Sequence, residues 1–425
     1  MGAQWSMKNP YSTVLSSKEI LNGPGARKET RHIVIDLGDS GIDYRVGDAI
    51  GIIPENPHDL VMELIEELGF SGDDIVETHN GEGTLYDALK RDFEVHRLNK
   101  KFVKAMPELL AEKRSTIEAR IVHRVRISVD GEHEVEWLWS GEDDDYPAGY
   151  LNGEDFDSSA RAAEIASTNE SLEDYIWSRD FVDALREFPS LRFEQPVDFL
   201  RYLDKLKGRL YSIASSHDSH PGEVQLTIAI VRYEHHERKR AGLCTGFLAD
   251  EAQLNETNFG IYMAPTRSFL LPADGSTDII MVGPGTGIAP FRAFLEQREF
   301  DGSSGRSWLI FGDQHEATEF YYREQIEGWL ESGVLHRFTT AWSRDQAEKI
   351  YVQNRMLEHA QEIWEWIDDG ACFYVCGDKN YMAKDVHAAL IKICSENGGM
   401  GDEAAHHFVQ QQLMKVEKRY LRDVY

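Results

Sequence analysis

The sequence predicts an antiparallel β domain, split by a helical insertion and followed by a doubly wound parallel α/β domain. Three observations carry this. Beyond Pro272 the apolar runs DIIMVG, SWLIFG and CFYVCG recur, each followed by helical spacing, the alternation a parallel sheet requires. Ahead of them TRHIVIDLG, RLYSIASS, VQLTIAIVRYE and FGIYMAP have the texture of strands. Between the two groups of β stretches, from Pro57 onward, the spacing turns helical.

Taken in order, residues 14–54 read as β, ending in GDAIGIIPENP with its glycine and proline punctuation. HDLVMELIEELG follows as a helix, with a proline before it and a glycine closing it. TLYDALKRDF and KKFVKAMPELLAEK continue the helical texture, and it resumes at SLEDYIWSRDFVDALREF and VDFLRYLDKL. Between them lies 141–159, with seven carboxylates and no basic residue, which reads as a solvated acidic loop because it repels itself and has little to bury. The expected boundaries are 1–57 with 196–272 for the β domain, 58–195 for the insertion, and 273–425 for the α/β domain.

Bulk properties exclude more than they assign. Across 425 residues, 74 acidic side chains against 45 basic ones leave −29, which disfavours the polyanions, nucleic acid and anionic membrane, as partners. No apolar run has the length of a membrane span, and MGAQWSMKNP lacks the features of a signal peptide. Cys244, Cys372, Cys376 and Cys394 form no paired framework, so reduced thiols in the cytoplasm are expected.

Chemistry gathers in a few stretches. DIIMVGPGTGIAPFRAF sets Gly283, Gly285 and Gly287 between a strand and a helix, where backbone N–H groups can meet an anion. Its spacing is not the usual dinucleotide fingerprint. AWSRDQAEKIYVQ offers Ser343, Arg344, Lys349, Tyr351 and Gln353 for a phosphate beside a purine; a helix cap with a solvated face accounts for it equally well. RLYSIASS displays Arg209, Tyr211, Ser212, Ser215 and Ser216, suited to a flat heterocycle and a diphosphate, and GLCTGFLAD adds a helix start with Thr245. Cys376 ends a buried strand just before Gly377 and Asp378, the sheet edge where such folds bind ligands. The histidines of YEHHERKR and EAAHHF have no ligand-spaced partners, and Ser212 has no His/Asp constellation; neither a metal nor a covalent nucleophile is expected.

In this order, RLYSIASS, GLCTGFLAD, MVGPGTGIAPFRAF, AWSRDQAEKIYVQ, YVCGDKNYMAKDV and RYLRDVY resemble the ferredoxin-reductase-like half of the diflavin reductases, most nearly their sulfite-reductase branch. The resemblance implies a barrel binding FAD, a helical connecting insertion and an NADPH-binding α/β domain. It implies that Arg209, Tyr211, Ser212 and Ser215 hold the FAD with Gly242, Cys244 and Thr245. Gly285, Thr286, Gly287 and Asp378 would line the nicotinamide nucleotide, and Ser343, Arg344, Lys349, Tyr351 and Gln353 would take its 2′-phosphate end. Ser212, Cys376 and Asp423 would surround the site of hydride transfer, with Tyr425 stacked on the flavin.

The implied activity is an NADPH-dependent flavoprotein reductase feeding a separate acceptor, an FMN flavoprotein or a sirohaem/iron–sulfur subunit of a sulfite-reductase-like system. A reductase for another redox partner such as a ferredoxin, or a flavin-binding module without turnover, are the alternatives. The chain departs from the family in three respects. It begins at the barrel, without a flavodoxin-like FMN domain; Leu270 in FLLP replaces a cation; and 141–159 has no counterpart.

Overall fold

The computed structural model describes residues 5–129, 132–139 and 153–425. It contains two compact units, one of residues Met1–Pro54, Gly208–Arg232 and Cys244–Tyr425, the other of Glu55–Lys207 and Tyr233–Leu243.

In the first unit, short alternating segments pair into two antiparallel sheets. Four strands lie in the order Tyr11–Thr13, Phe259–Ala264, Ala49–Ile53, Arg209–Ser212, and three in the order Glu223–Ile230, Glu29–Asp36, Leu15–Ile20. One apolar core, including Ile33, Ile35, Ile50, Ile52, Leu226, Ile228 and Ile261, serves both sheets and makes them the expected barrel. The same unit holds a five-stranded parallel sheet in the order Arg337–Trp342, Ser307–Asp313, Ile279–Val282, Cys372–Gly377, Tyr420–Val424. The three runs DIIMVG, SWLIFG and CFYVCG are its central strands, and their continuous apolarity follows from burial on both faces. From Ile279–Val282 the chain passes first to one side, at Ser307–Asp313, and later to the other, at Cys372–Gly377. That reversal opens a crevice beyond the strands' carboxyl ends.

The helix Ala289–Asp301 fastens the barrel to this sheet through buried polar groups. Arg292 donates to the Ala214 carbonyl at 2.6 Å and to Gln225 Oε1 at 2.8 Å. Glu296, 3 % exposed, accepts from the Ser216 N–H at 2.9 Å and meets His220 Nε2 at 3.1 Å.

The second unit is only partly helical. Its core is built by the helices His58–Leu68, Leu85–Arg91, Asn169–Ser178 and Phe181–Glu187 with the flanking segments. Two hairpins also form among the helices of the insertion, Ile75–Thr78 with Gly81–Thr84 and Ile121–Val129 with Glu132–Trp139. The expectation had counted 196–207 and 233–243 with the barrel. Arg238 and Arg240 instead tie 233–243 to Asp180 and Asp183 by nearly buried ion pairs. Of the acidic stretch 141–159, residues up to 152 lie outside the described residues. From Gly153 the backbone is helical through Ser167, so the loop expectation fails for 153–159.

Candidate functional site

The Gly-rich turn follows the strand Ile279–Val282 and runs as a tight helical turn, Gly285–Ile288, into Ala289–Asp301. Gly287 is obligatory, since a Cβ there would stand 2.2 Å from the Cys376 carbonyl oxygen. The turn is therefore pressed onto the end of the neighbouring strand. Gly285 differs: it has φ +59°, and above it the nearest atom is Asp313 Oδ2 at 3.8 Å, so its face opens into the crevice. The cradle fits an extended, phosphate-bearing ligand.

Ser212, Cys376 and Asp423 come together at this crevice. The edge strand Tyr420–Val424 pairs in parallel with Cys372–Gly377, in a register that sets Asp423 opposite Cys376. Ser212 Oγ, from the barrel, donates to Asp423 Oδ2 at 2.5 Å, and Cys376 Sγ lies 3.9 Å from the same oxygen. Burial, with the Asp423 carboxyl beside it, holds the Cys376 thiol well above its ordinary range. Cys376 is a neutral thiol here, a weak donor rather than a nucleophile. Tyr425 is pinned by its main chain, through the Gly377 carbonyl and the Lys379 N–H, while its side chain stays 60 % exposed. Its hydroxyl lies 3.1 Å from Thr286 Oγ1.

On the barrel side, Arg209, Tyr211 and Ser212 share the strand Arg209–Ser212, whose Tyr211 is held above the ordinary tyrosine range by burial and the adjacent Cys244. Cys244 itself is buried, and burial pushes its thiol up to about 12. Its side chain packs against the core, which leaves the main chain of Leu243–Gly246 as the part able to meet a ligand. Thr245 Oγ1 accepts from the Val231 N–H. Gly242 precedes this helical turn in the chain, at the end of the other unit's segment. Ser215 is completely buried, bonded to the Tyr44 hydroxyl at 2.7 Å and the Gln225 N–H at 3.0 Å, so its side chain organises the barrel.

A cleft of about 490 Å³ continues from the Gly-rich turn. Gly285, Ser343, Tyr351, Gln353, Asp378 and Tyr381 are among its walls. Ser343 and Arg344 begin the turn after the strand Arg337–Trp342, hung by their N–H groups from the Asp313 and Gln314 carbonyls. Arg344 and Lys349 are exposed, as is Tyr351, which lines the cleft. Gln353 donates to Asp385 at 3.0 Å. Asp378 caps the helix Met382–Asn397 by accepting from the Tyr381 and Met382 N–H groups. Desolvation opposes its ionisation, yet these N–H donors hold its carboxyl below the ordinary range. Leu270 offers its carbonyl to the Tyr374 hydroxyl at 2.7 Å, and Arg267 is exposed.

Sequence reasoning missed Lys28, Asp313, Arg292 and Glu296. No local pattern marks them, because each acts on a partner distant in the chain.

Comparison with known proteins agrees with this geometry. A model described as an FAD binding domain matches residues 3–107 and 167–247, and one described as an oxidoreductase NAD-binding domain matches 281–388. The chain is similar to proteins named sulfite reductase [NADPH] flavoprotein alpha-component. That of Bacillus subtilis is 37 % identical over 100 % of this chain and 62 % of its own length. For Vibrio cholerae the figures are 36 %, 100 % and 60 %, and for Zymomonas mobilis 37 %, 99 % and 61 %. The chain thus spans about three fifths of the length of these relatives.

Proposed function

We propose that this chain, which matches an FAD binding domain and an oxidoreductase NAD-binding domain, is a ferredoxin-reductase-like, NADPH-dependent flavoprotein reductase. FAD and NADPH are its cofactors, and its acceptor is a separate protein, an FMN flavoprotein or a sirohaem/iron–sulfur sulfite reductase subunit. Its place is the cytoplasm, in keeping with the four free, buried thiols. No helix among the described residues is long and apolar enough to cross a membrane.

The carrying observation is the meeting of Ser212, Cys376 and Asp423 at the mouth of the Gly-rich turn. Bound FAD supplies a ring that takes a hydride from nicotinamide and passes electrons on singly. Arg209 and the N–H groups at Leu243–Gly246 would hold its diphosphate, and Tyr211 and Ser212 would border the ring. The Gly285–Ile288 turn, with the Thr286 hydroxyl, receives the nicotinamide nucleotide's pyrophosphate. Ser343, Arg344 and Lys349 grip the 2′-phosphate while Tyr351 stacks on adenine. Asp423 fixes the Ser212 hydroxyl by a short hydrogen bond, so that the polar groups around the transferred hydride are already oriented. Tyr425, the exposed aromatic at this site, would stack on the flavin and shield it from water.

The test is direct. The purified protein should be yellow, release FAD on acid treatment at about one per chain, and bleach anaerobically with NADPH. A colourless protein that takes up no FAD, or a flavin spectrum indifferent to NADPH, overturns the reading.

A further inference from the structure

Inside the nucleotide cleft stands a carboxylate that the proposed chemistry does not use. Asp313, at the carboxyl end of the strand Ser307–Asp313, has a side chain only 4 % exposed, and it lines the cleft. Its Oδ2 is the atom nearest the open face of Gly285, where phosphates are expected. An uncompensated negative charge there repels a polyanionic ligand, in a setting where solvent screens little. Asparagine at this position would need no counter-charge. Aspartate is tolerable only with a cation.

Lys28 supplies that cation from the barrel. It lies just before the strand Glu29–Asp36, and its ammonium donates to both Asp313 oxygens, at 2.6 Å to Oδ2. The same carboxylate accepts from the Gln314 N–H at 2.7 Å. The Asp313 and Gln314 carbonyls in turn carry the N–H groups of Ser343 and Arg344, at 2.8 and 2.9 Å. A continuous chain of polar contacts therefore runs from a barrel lysine to the turn bearing the 2′-phosphate candidates.

We propose that Lys28 is a positioning residue that sets cofactor affinity: it cancels the Asp313 charge in the cleft and fixes the 313–314 turn from which Ser343 and Arg344 hang. The inference rests on the NADPH reading of the same cleft. It assigns the barrel a part in nucleotide recognition, across 285 positions of sequence.

The full chain loaded with FAD serves for the test, as wild type, Lys28→Met, Lys28→Arg, Asp313→Asn and the double variant Lys28→Met/Asp313→Asn. Calorimetry measures binding of NADP⁺ and of 2′,5′-ADP at low and high salt, and thermal melting reports the fold. Lys28→Met should weaken both probes on the order of tenfold, by a factor that changes little between low and high salt, because the Asp313 charge is largely shielded from solvent. Lys28→Arg should bind like wild type. The double variant should regain most of the loss, since the charge needing cancellation is gone. Undiminished binding by Lys28→Met overturns this inference alone. So does a double variant no better than Lys28→Met, which would make Lys28 a plain structural staple. Failure of the wild type to bind either probe overturns the NADPH reading, and this inference with it.

Discussion

Ser212 Oγ donates to Asp423 Oδ2 at 2.5 Å, joining a barrel strand to the edge strand of the parallel sheet. Replacing Asp423 by Asn keeps the shape but weakens a charge-assisted hydrogen bond. Flavin reduction by NADPH, followed by stopped flow, should slow by about tenfold to a hundredfold, as expected for the loss of 1.5–3 kcal/mol. The affinity for NADP⁺ should stay as in wild type. A variant that reduces flavin at the wild-type rate would remove Asp423 from the reacting centre.

Tyr425 should behave differently, because the residue is largely exposed and its hydroxyl lies 3.1 Å from the Thr286 Oγ1. Stacking contributes only about 0.5–1.5 kcal/mol beyond burial, small enough for the ring to move in every turnover. Removing the residue should leave FAD bound, strengthen NADP⁺ binding and relax the preference for NADPH over NADH. Steady-state and single-turnover rates with both nucleotides check this. An unchanged preference and unchanged affinity would make the ring packing alone.

Arg344 is exposed and follows Ser343, which lines the cleft; in the proposed reading it meets the 2′-phosphate. Arg344→Ala should weaken NADPH by about 1.5–3 kcal/mol and NADH by much less. The ratio of kcat/KM values for the two nucleotides is the measurement. Equal losses would show that the side chain supports only the turn.

The His220–Glu296 pair predicts a pH dependence of stability. A side-chain hydrogen bond to Glu296 is the chief cause raising His220 above its ordinary 6.5. Its contribution is therefore complete below that value and lost as pH rises through the folded pKa. Glu296 is lowered from its ordinary 4.5: desolvation opposes, but His220, Arg292 and the Ser216 N–H prevail. Its contribution is complete above 4.5 and lost as pH falls through the folded pKa. His32, pushed down to about 4 by burial and Arg292, acts in the opposite sense to His220, losing stability as pH falls below 6.5. Subtracting the melting curve of His220→Gln from that of wild type isolates the pair. The difference should be greatest between pH 4.5 and 6.5 and shrink on either side. A difference independent of pH would contradict the pairing.

Local pattern made much of this legible. DIIMVG, SWLIFG and CFYVCG announced central parallel strands because both their faces are buried, which leaves no polar alternation. GPGTG announced close approach because only glycine tolerates a carbonyl where Gly287 meets Cys376. RYLRDVY was marked only through the family resemblance, and the sheet sets its Asp423 in register against Cys376. What stayed hidden is pairing across distance. Glu296 and Arg292 look like ordinary surface charges of a helix until the barrel covers them, and Asp180 and Asp183 look like caps until Arg238 and Arg240 arrive. Ser215 shows the limit of reading RLYSIASS residue by residue, since its side chain points inward onto Tyr44 and the Gln225 N–H.

The buried seam along the helix Ala289–Asp301 bears on modularity. Arg292 reads Ala214 and Gln225, and Glu296 reads Ser216 and His220, while the two side chains also pair with each other at 2.8 Å, so each half completes hydrogen bonds that begin in the other. A chimaera cut near Pro272, joining the barrel of one reductase to the nucleotide domain of another, would leave the buried Ala214 carbonyl, Gln225 amide and Ser216 N–H without these partners unless the positions travelled together. Partners of this kind have to be inherited as a set. The two halves, distinct in architecture, are a single unit of exchange.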